Sequence, residues 1–281
     1  MRNSTFDVHP VAGMIGAEIL GIDLGEDHDE SVYAGIRSAL NEYGVIFFRN
    51  QSFSTDKSVE FGQKFGTLVA SKFIPTLPDH PLVAEIRKEA DQDRNVGGAW
   101  HTDNPYREVP PMGTILYAQE LPEFGGDTCF IHMGAAYDAL SDGLKKTLGQ
   151  LRGVHSNAQV YGKLAKAEKR SNPSMINLDQ AAQEVTHPVV VTHPETGRKV
   201  LFVSPSYTPR FEGWTEEESQ PLLKFLFDHV KRPEFQYRFR WQPGSIAFWD
   251  DRQTLHYAVN DYTGSRRIMH RLMVAGLGPL G

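Results

Sequence analysis

The chain has 281 residues, 40% of them hydrophobic, and a formal net charge of −6. A chain of this length can bury a large core, and we expect a single domain over residues 1–281. The negative charge excludes a general attraction to nucleic acid or anionic membranes, so an anionic ligand must be bound by a local basic cluster.

The one cysteine, Cys129, excludes an internal disulfide and any metal site built from several cysteines, which is typical of a reducing compartment. We interpret Cys129 as a small core residue. The start of the chain has no targeting pattern, and no apolar run approaches the roughly 18 residues of a membrane span. The sequence therefore predicts a soluble, cytoplasmic protein that binds neither membrane nor nucleic acid.

The first predicted elements are short extended pieces over residues 5–24, interrupted by glycines. Apolar residues recur at helical spacing over residues 32–43, with acidic residues before them and a glycine after them. A buried strand is predicted at residues 45–48, and Ser54 is placed to cap a second helix that Gly66 ends.

The middle of the chain is less regular. Residues 82–86 can form a strand, and the charge-rich stretch after them predicts a loop that enters a site. We expect an active-site segment near residues 69–98. The alternative is a solvated surface loop. An apolar strand is predicted at residues 113–118, and apolar spacing predicts one helix over residues 133–151.

The polar stretch at residues 160–186 predicts a second active-site loop, an excursion from the core or a lid. Residues 194–197 have the composition of a hairpin turn. Thr215 and Glu218 form a capping-box pair that opens a helix, and residues 235–276 predict four short strands. Many short strands with few helices favour a mainly β fold, a sandwich or jelly roll with peripheral helices.

Three histidines are each followed two positions later by an acid. The pairs are His28 with Glu30, His101 with Asp103, and His193 with Glu195. With 11 histidines and 35 acids, chance predicts roughly one or two such pairs, so context must decide. The first pair lies before a helix, where acids favour the helix dipole, and the last lies in a predicted turn that suits an exposed loop. On a strand, His101 and Asp103 would point to the same face and could reach one ion.

A downstream stretch strengthens this hypothesis. His256 ends a strand-like stretch that begins at Ser245, and Arg267 and Arg271 follow with spacing that puts both on one face of a strand. Guanidinium groups bind carboxylates, so such a face suits an acidic ligand; the alternative is two solvated arginines on an edge strand. Two imidazoles and one carboxylate on one side of a metal are typical of non-haem Fe(II) oxygen chemistry.

The sequence resembles the taurine dioxygenase and 2,4-dichlorophenoxyacetate dioxygenase (TauD/TfdA) family of Fe(II)/2-oxoglutarate enzymes. The resemblance rests on Gly16-Ala17-Glu18-Ile19, Gly21-Ile22-Asp23-Leu24, Trp100-His101-Thr102-Asp103, Gly125-Gly126-Asp127-Thr128, Phe248-Trp249-Asp250, His256-Tyr257-Ala258 and Arg266-Arg267-Ile268-Met269-His270-Arg271. It implies a double-stranded β-helix, a cupin-like jelly roll. It also implies an enzyme that consumes 2-oxoglutarate and O2, hydroxylates a small anionic substrate and releases succinate and CO2.

The resemblance implies roles for particular residues. His101, Asp103 and His256 would bind Fe(II), Thr128 and Arg267 would bind the far carboxylate of 2-oxoglutarate, and Trp249 would form a wall of that pocket. The expected substrate contacts are Ser71, Asn104, Tyr161, Tyr207 and Arg271, of which Arg271 would pair with the anionic group.

The departures from the family pattern concern the substrate. Where taurine-specific members have a histidine, a tyrosine, an asparagine and a serine, this chain has Ser71, Ile74, Gly97 and Val160. Taurine is therefore not the expected substrate. Residues 154–157 resemble members that act on alkyl sulfates and phenoxypropionates, and the two tyrosines favour a larger, more apolar acid.

Two other classes of protein remain open on the sequence. A zinc hydrolase could use the same three ligands to activate water, but it would not need Arg267 and Thr128. A non-catalytic jelly-roll binding protein would not need the three ligands. We also expect a homo-oligomer, a dimer or a tetramer.

Overall fold

The computed structural model describes residues 6–162, 176–177 and 183–281. In these residues lie sixteen β-strands and five α-helices. The strands are β1 (Asp7–Pro10), β2 (Ala17–Leu20), β3 (Val45–Phe48), β4 (Thr76–Leu77), β5 (His80–Lys88), β6 (Gly113–Glu120), β7 (Thr128–His132), β8 (Arg152–Ser156), β9 (Glu184–Pro188), β10 (Val190–Thr192), β11 (Lys199–Leu201), β12 (Arg210–Phe211), β13 (Gln236–Phe239), β14 (Ile246–Asp250), β15 (Thr254–Ala258) and β16 (Arg267–Val274). The helices are α1 (Glu30–Tyr43), α2 (Thr55–Gln63), α3 (Met133–Asp138), α4 (Asp142–Leu148) and α5 (Glu216–Val230).

An eight-stranded sheet has the order β1-β2-β3-β14-β6-β16-β5-β4. Its neighbours pair antiparallel except β2 with β3. A three-stranded sheet, β13-β7-β15, packs against one face of it through a shared apolar core that includes Phe130, Phe239, Trp249 and Met269. Helices α1 and α2 cover the opposite face with Ile36, Leu40 and Phe61 among others. The mainly β prediction is therefore confirmed.

Local sequence explains several element ends. Helix α1 ends where Gly44 takes a φ of 72°, a left-handed conformation that glycine adopts without strain. The Ser54 hydroxyl accepts a hydrogen bond from the Lys57 amide at the start of α2. Thr215 and Glu218 form the predicted capping box at the start of α5.

Several predicted boundaries were wrong. The single helix expected over residues 133–151 is divided into α3 and α4, because Ser141 caps a new helix by accepting a hydrogen bond from the Leu144 amide. The strand expected from Ser245 to His256 is divided into β14 and β15 by the turn at residues 251–253, so His256 lies within β15 rather than at the end of a strand. Cys129, expected in the core, is half-buried.

The segment near residues 69–98 is more ordered than its irregular sequence predicted. Strand β5 occupies Leu82–Ile86 and extends beyond both ends of this prediction. The loop that follows is fastened to the chain after β15, since Asn95 Nδ2 donates to the Ala258 carbonyl at 3.0 Å and Asn260 Nδ2 donates to the Asp93 carbonyl at 2.7 Å. Most of the other predicted loop, residues 160–186, lies outside the described residues.

None of the helices in the described ranges combines the length and the apolar character needed to cross a membrane.

Gly113 provides a test of the packing between β6 and β14. A Cβ at this position would lie 2.4 Å from the Trp249 carbonyl oxygen, so Gly113→Ala must push the two strands apart. We expect the free energy of unfolding to fall by about 1–3 kcal/mol. Urea unfolding measures it, with Gly143→Ala in α4 as the control, because a Cβ there meets nothing within 4 Å. Equal stability of the two variants would contradict this account.

Candidate metal centre

Two histidines that are distant in sequence are joined by a pair of backbone hydrogen bonds. The His101 amide donates to the His256 carbonyl at 3.0 Å, and the His256 amide donates to the His101 carbonyl at 2.7 Å. This is an isolated antiparallel bridge at one edge of the three-stranded sheet. It brings the two imidazole ring centroids to within 4.1 Å of each other.

Asp103 completes a compact group of possible metal ligands. One ligand atom from each of His101, Asp103 and His256 lies within 4.8 Å of the other two, and all three residues are buried. No other such group of three is found among the described residues. The expectation that His101 and Asp103 lie on a regular strand was wrong, because Asp103 lies in a bend after the single bridge at His101.

The protonation states of this group suit a divalent cation. Burial lowers the pKa of His101 and lowers the pKa of His256 further, so both imidazoles are neutral and carry a free lone pair at neutral pH. Burial alone would raise the pKa of Asp103, but chiefly the charge of Arg271, together with a hydrogen bond from Thr114, lowers it to about 2. One carboxylate and two neutral imidazoles are a donor set that binds Fe(II).

The ligands are oriented by further hydrogen bonds. His101 Nδ1 donates to the Ala99 carbonyl at 2.7 Å, which leaves Nε2 on the side of Asp103, 3.8 Å from its Oδ1. The Thr114 hydroxyl lies between two carboxylates, 3.0 Å from Asp103 Oδ2 and 2.8 Å from Asp251 Oδ2. The Asp251 carboxylate also accepts from the Asp103 amide at 3.4 Å.

One buried arginine has part of its guanidinium unpaired. Arg267 is 5% exposed, and its Nε and Nη2 have no hydrogen-bond partner among the described residues. Burial lowers the pKa of Arg267, because a charged guanidinium is less stable away from water. A Cβ on Gly126 would lie 3.2 Å from Arg267 Nε, so the glycine permits the close approach of the loop to the arginine.

The other residues expected around 2-oxoglutarate are also buried. Thr128, 2% exposed, accepts a hydrogen bond from Trp241 Nε1 at 2.9 Å. Trp249, 1% exposed, has its ring centroid 4.7 Å from that of His256. Its indole N–H donates to Asp251 Oδ1 at 2.9 Å, which fixes the indole beside the metal ligand.

Arg271 lies next to one of the three possible metal ligands. Its Nη1 is 3.5 Å from Asp103 Oδ1, and its Nη2 donates to Ser71 Oγ at 3.5 Å. Asn104 is held by its own neighbours, because its Oδ1 accepts from the Tyr106 hydroxyl and its Nδ2 contacts Met273 Sδ at 3.1 Å. The long contacts of Arg271 leave it able to take a stronger anionic partner.

Aromatic rings border the same space. Tyr161 stacks on Phe73 with ring centroids 4.2 Å apart, and the Tyr207 ring is 6.2 Å from that of His101. Tyr106 packs between them, 5.3 Å from Tyr207 and 6.3 Å from Tyr161. Burial raises the pKa of Tyr161 and of Tyr207, so both hydroxyls remain protonated and can donate hydrogen bonds.

The other two histidine–acid pairs are not part of the centre. His28 Nε2 bonds to the Asp23 carbonyl at an exposed position. His193 lies in the predicted hairpin between β10 and β11, but its expected exposure was wrong: it is 1% exposed, and its Nε2 lies 2.9 Å from Asp250 Oδ2. Glu195 accepts hydrogen bonds from Arg37.

Sequence reasoning missed several residues of the site. They are Phe73, Tyr106, Thr114, Trp241 and Asp251. Asp251 directly follows the quoted Phe248-Trp249-Asp250 motif, so its position was a usable signal. Phe73 and Tyr106 each lie two residues after a predicted contact, Ser71 and Asn104, whereas Trp241 and Thr128 are 113 residues apart and meet only in the fold.

Comparisons with known proteins agree with this geometry. The sequence model of the family described as "Taurine catabolism dioxygenase TauD, TfdA family" matches residues 7–273. The chain is 37% identical to an alpha-ketoglutarate (2-oxoglutarate)-dependent sulfate ester dioxygenase of Pseudomonas putida, over 98% of this chain and 91% of that protein. It is 31% identical to an (S)-phenoxypropionate/alpha-ketoglutarate-dioxygenase of Sphingobium herbicidovorans, over 96% of this chain and 95% of that one.

Solved structures give the same result. A taurine dioxygenase from Burkholderia xenovorans superposes with a TM-score of 0.83 at 35% identity, covering 99% of this chain and 91% of that chain. The protein AAD-2, solved in complex with Mn(II) and N-oxalylglycine, superposes with a TM-score of 0.85 at 25% identity, covering 99% of this chain and 100% of that one. The chain therefore belongs to the TauD/TfdA family of 2-oxoglutarate-dependent dioxygenases.

Proposed function

We propose that this protein is an Fe(II)- and 2-oxoglutarate-dependent dioxygenase that hydroxylates a small organic anion. The observation that carries the proposal is the buried group formed by His101, Asp103 and His256, in a chain that also holds a buried and partly unpaired guanidinium at Arg267. A metal-dependent hydrolase would have no use for this buried cation. A binding protein without catalysis would have no use for the three converging ligands.

The residues present fit both the metal and the co-substrate. With bound Fe(II), 2-oxoglutarate and O2, one oxygen atom enters a C–H bond of the substrate while 2-oxoglutarate becomes succinate and CO2. Arg267 and Thr128 hold the far carboxylate of 2-oxoglutarate, and Trp249 forms a wall of its pocket. The buried side chains exclude water, and the protein contributes chiefly positioning.

The substrate is an anion with an apolar body. Arg271 binds its charged group, assisted by Ser71 and Asn104, while the rings of Tyr161 and Tyr207 pack against its carbon chain or ring. Sulfonates, alkyl sulfates, aryloxyalkanoates and other carboxylic acids have this chemistry, and relatives are named for sulfate esters and phenoxypropionate. If the hydroxylated carbon bears a sulfate-ester oxygen, the product collapses to an aldehyde and sulfate, so hydroxylation also cleaves the bond.

The proposal extends to the organisation of the molecule. The facing sheets support a double-stranded β-helix, or jelly roll, within one domain over residues 1–281. The segments near residues 69–98 and 160–186 would be the active-site loops, as Ser71 and Tyr161 border the pocket. A homo-oligomer, dimer or tetramer, with no nucleic-acid or membrane partner, and a cytoplasmic location remain predictions.

Removing a metal ligand should abolish turnover. We expect His101→Ala and Asp103→Ala each to lose iron-dependent succinate formation, because two ligands cannot hold the metal in place. Succinate is measured in the presence of Fe(II), ascorbate and a responsive anion. His28→Ala, at an exposed look-alike pair, is the control and should leave succinate formation unchanged. Undiminished turnover in either ligand variant would contradict the proposal.

Removing the buried cation of Arg267 should weaken co-substrate binding and, at the same time, stabilise the fold. We expect Arg267→Met to raise the 2-oxoglutarate requirement at least about 10-fold, since a charge-assisted hydrogen bond is lost. Without 2-oxoglutarate it should raise the free energy of unfolding by about 1 kcal/mol or more, because a poorly compensated buried charge is removed. Steady-state kinetics and urea unfolding measure the two effects.

Arg266→Met is the matched control for this variant, because the neighbouring arginine is half exposed and pairs with Glu89 at the surface. Arg266→Met should leave the 2-oxoglutarate requirement unchanged. It should change the free energy of unfolding by no more than about 0.5 kcal/mol. An unchanged 2-oxoglutarate requirement in Arg267→Met would show that another residue binds the co-substrate.

Replacing Arg271 should affect the prime substrate. We expect Arg271→Gln to weaken binding of anionic substrates at least about 10-fold while 2-oxoglutarate still binds, because the lost contact is to the substrate anion. Binding is followed anaerobically with the Fe(II)/2-oxoglutarate complex, through the shift of its metal-to-ligand absorption band, against a panel of sulfonates, alkyl sulfates and aryloxyalkanoates. Preferential binding of neutral analogues by the unmodified protein would contradict the assignment.

A further inference from the structure

One indole contacts both groups that are assigned to the far carboxylate of 2-oxoglutarate. Trp241 Nε1 donates to Thr128 Oγ1 at 2.9 Å, and the Arg267 Cζ lies 5.7 Å from the centroid of the Trp241 ring. Trp241 is 6% exposed and is itself held by Phe239, whose ring is nearly perpendicular to it at 4.9 Å. Neither the sequence motifs nor the named roles of the relatives give Trp241 a part in the site.

The direction of the hydrogen bond decides what Trp241 does. An indole N–H is a donor only, so the Thr128 oxygen must accept, and the hydroxyl keeps its single proton for another partner. Among the described residues, no acceptor receives that proton. Because Thr128 is 2% exposed, the hydroxyl cannot turn to bulk water. Its proton is available to a carboxylate bound at the neighbouring Arg267.

The position of Trp241 follows from the pairing of the small sheet. Thr128 at the start of β7 pairs with Phe239 at the end of β13, and Trp241 follows two residues later. The chain therefore turns Trp241 back over the first residue of β7. The same indole packs on the guanidinium, and a ring face at this distance favours a cation.

We propose that Trp241 is a positioning residue for 2-oxoglutarate, which orients the Thr128 hydroxyl as a donor to the far carboxylate. The proposal rests on the proposed function, because it needs 2-oxoglutarate to bind at Arg267 and Thr128. The indole N–H is already bonded to Thr128 and is not needed as a donor to the co-substrate in this proposal. The effect of the indole N–H passes through Thr128, and Trp241→Phe removes this donor while it keeps an aromatic ring for the Arg267 guanidinium.

A double-mutant cycle in co-substrate affinity tests the proposal. The Kd of 2-oxoglutarate is measured by isothermal titration calorimetry on the Mn(II)-loaded protein, which binds without turnover. We expect Trp241→Phe to raise the Kd about 3- to 10-fold, the effect of one lost hydrogen bond. Thr128→Val should raise it about 10-fold. The double variant should match Thr128→Val within about 2-fold, because without the hydroxyl the indole N–H has nothing to orient.

Three controls distinguish a specific effect on the Kd of 2-oxoglutarate from general damage to the fold. Trp214→Phe, at an exposed tryptophan that packs on Phe211, should leave the Kd unchanged. Mn(II) affinity without 2-oxoglutarate should be the same in every variant. If Trp241→Phe fails to fold, Trp241→Met, which has no side-chain N–H or O–H donor, repeats the cycle.

The outcomes separate the two proposals. An unchanged Kd in Trp241→Phe, or an equal further loss on the Thr128→Val background, would overturn the positioning role. A parallel fall in Mn(II) affinity, or an equal effect of Trp214→Phe, would also overturn it. If the unmodified Mn(II)-loaded protein shows no binding of 2-oxoglutarate, the proposed function itself fails.

Discussion

The centre depends on the two backbone hydrogen bonds between His101 and His256. Between β5 and β6, the segment around His101 forms no regular strand. The bridge to His256 fixes this segment against β15. β15 pairs with β7, which begins at Thr128, so the same small sheet positions His256 and the residue that we propose as a co-substrate contact. A shift of one residue in the register of β15 would turn the His256 side chain to the opposite face of the sheet, and the three ligands would no longer converge.

In the proposed function, the preference for anionic ligands comes from two largely buried arginines whose charges are not fully compensated. Arg267 carries two unpaired nitrogens in the described part of the chain, and Arg271 makes only long contacts to Asp103 and Ser71. Such arrangements cost stability in the free protein, and a bound anion recovers part of that cost. The two arginines lie on the same strand, so in the proposed function β16 would present one cation to the co-substrate and another to the substrate.

Much of the site could be predicted from the sequence, because the ligands come from short motifs in a fixed order. The sequence could not show that Asp103 lies off a strand, since its position depends on a bridge to a residue more than 150 positions away. His193 was expected to be exposed because its partner, Asp250, is 57 residues distant. The division of the helix at Ser141 was predictable in principle, since serine is a good N-cap residue in the middle of an apolar pattern. The contact of Trp241 with Thr128 had no signal in either local sequence.

The most direct test is a crystal structure of the protein with Mn(II) and 2-oxoglutarate. We expect one metal ion bound by His101, Asp103 and His256, with the far carboxylate of 2-oxoglutarate on the free nitrogens of Arg267 and on the Thr128 hydroxyl. A metal ion on other residues would contradict the central claim. So would a co-substrate carboxylate elsewhere while Arg267 stays unpaired.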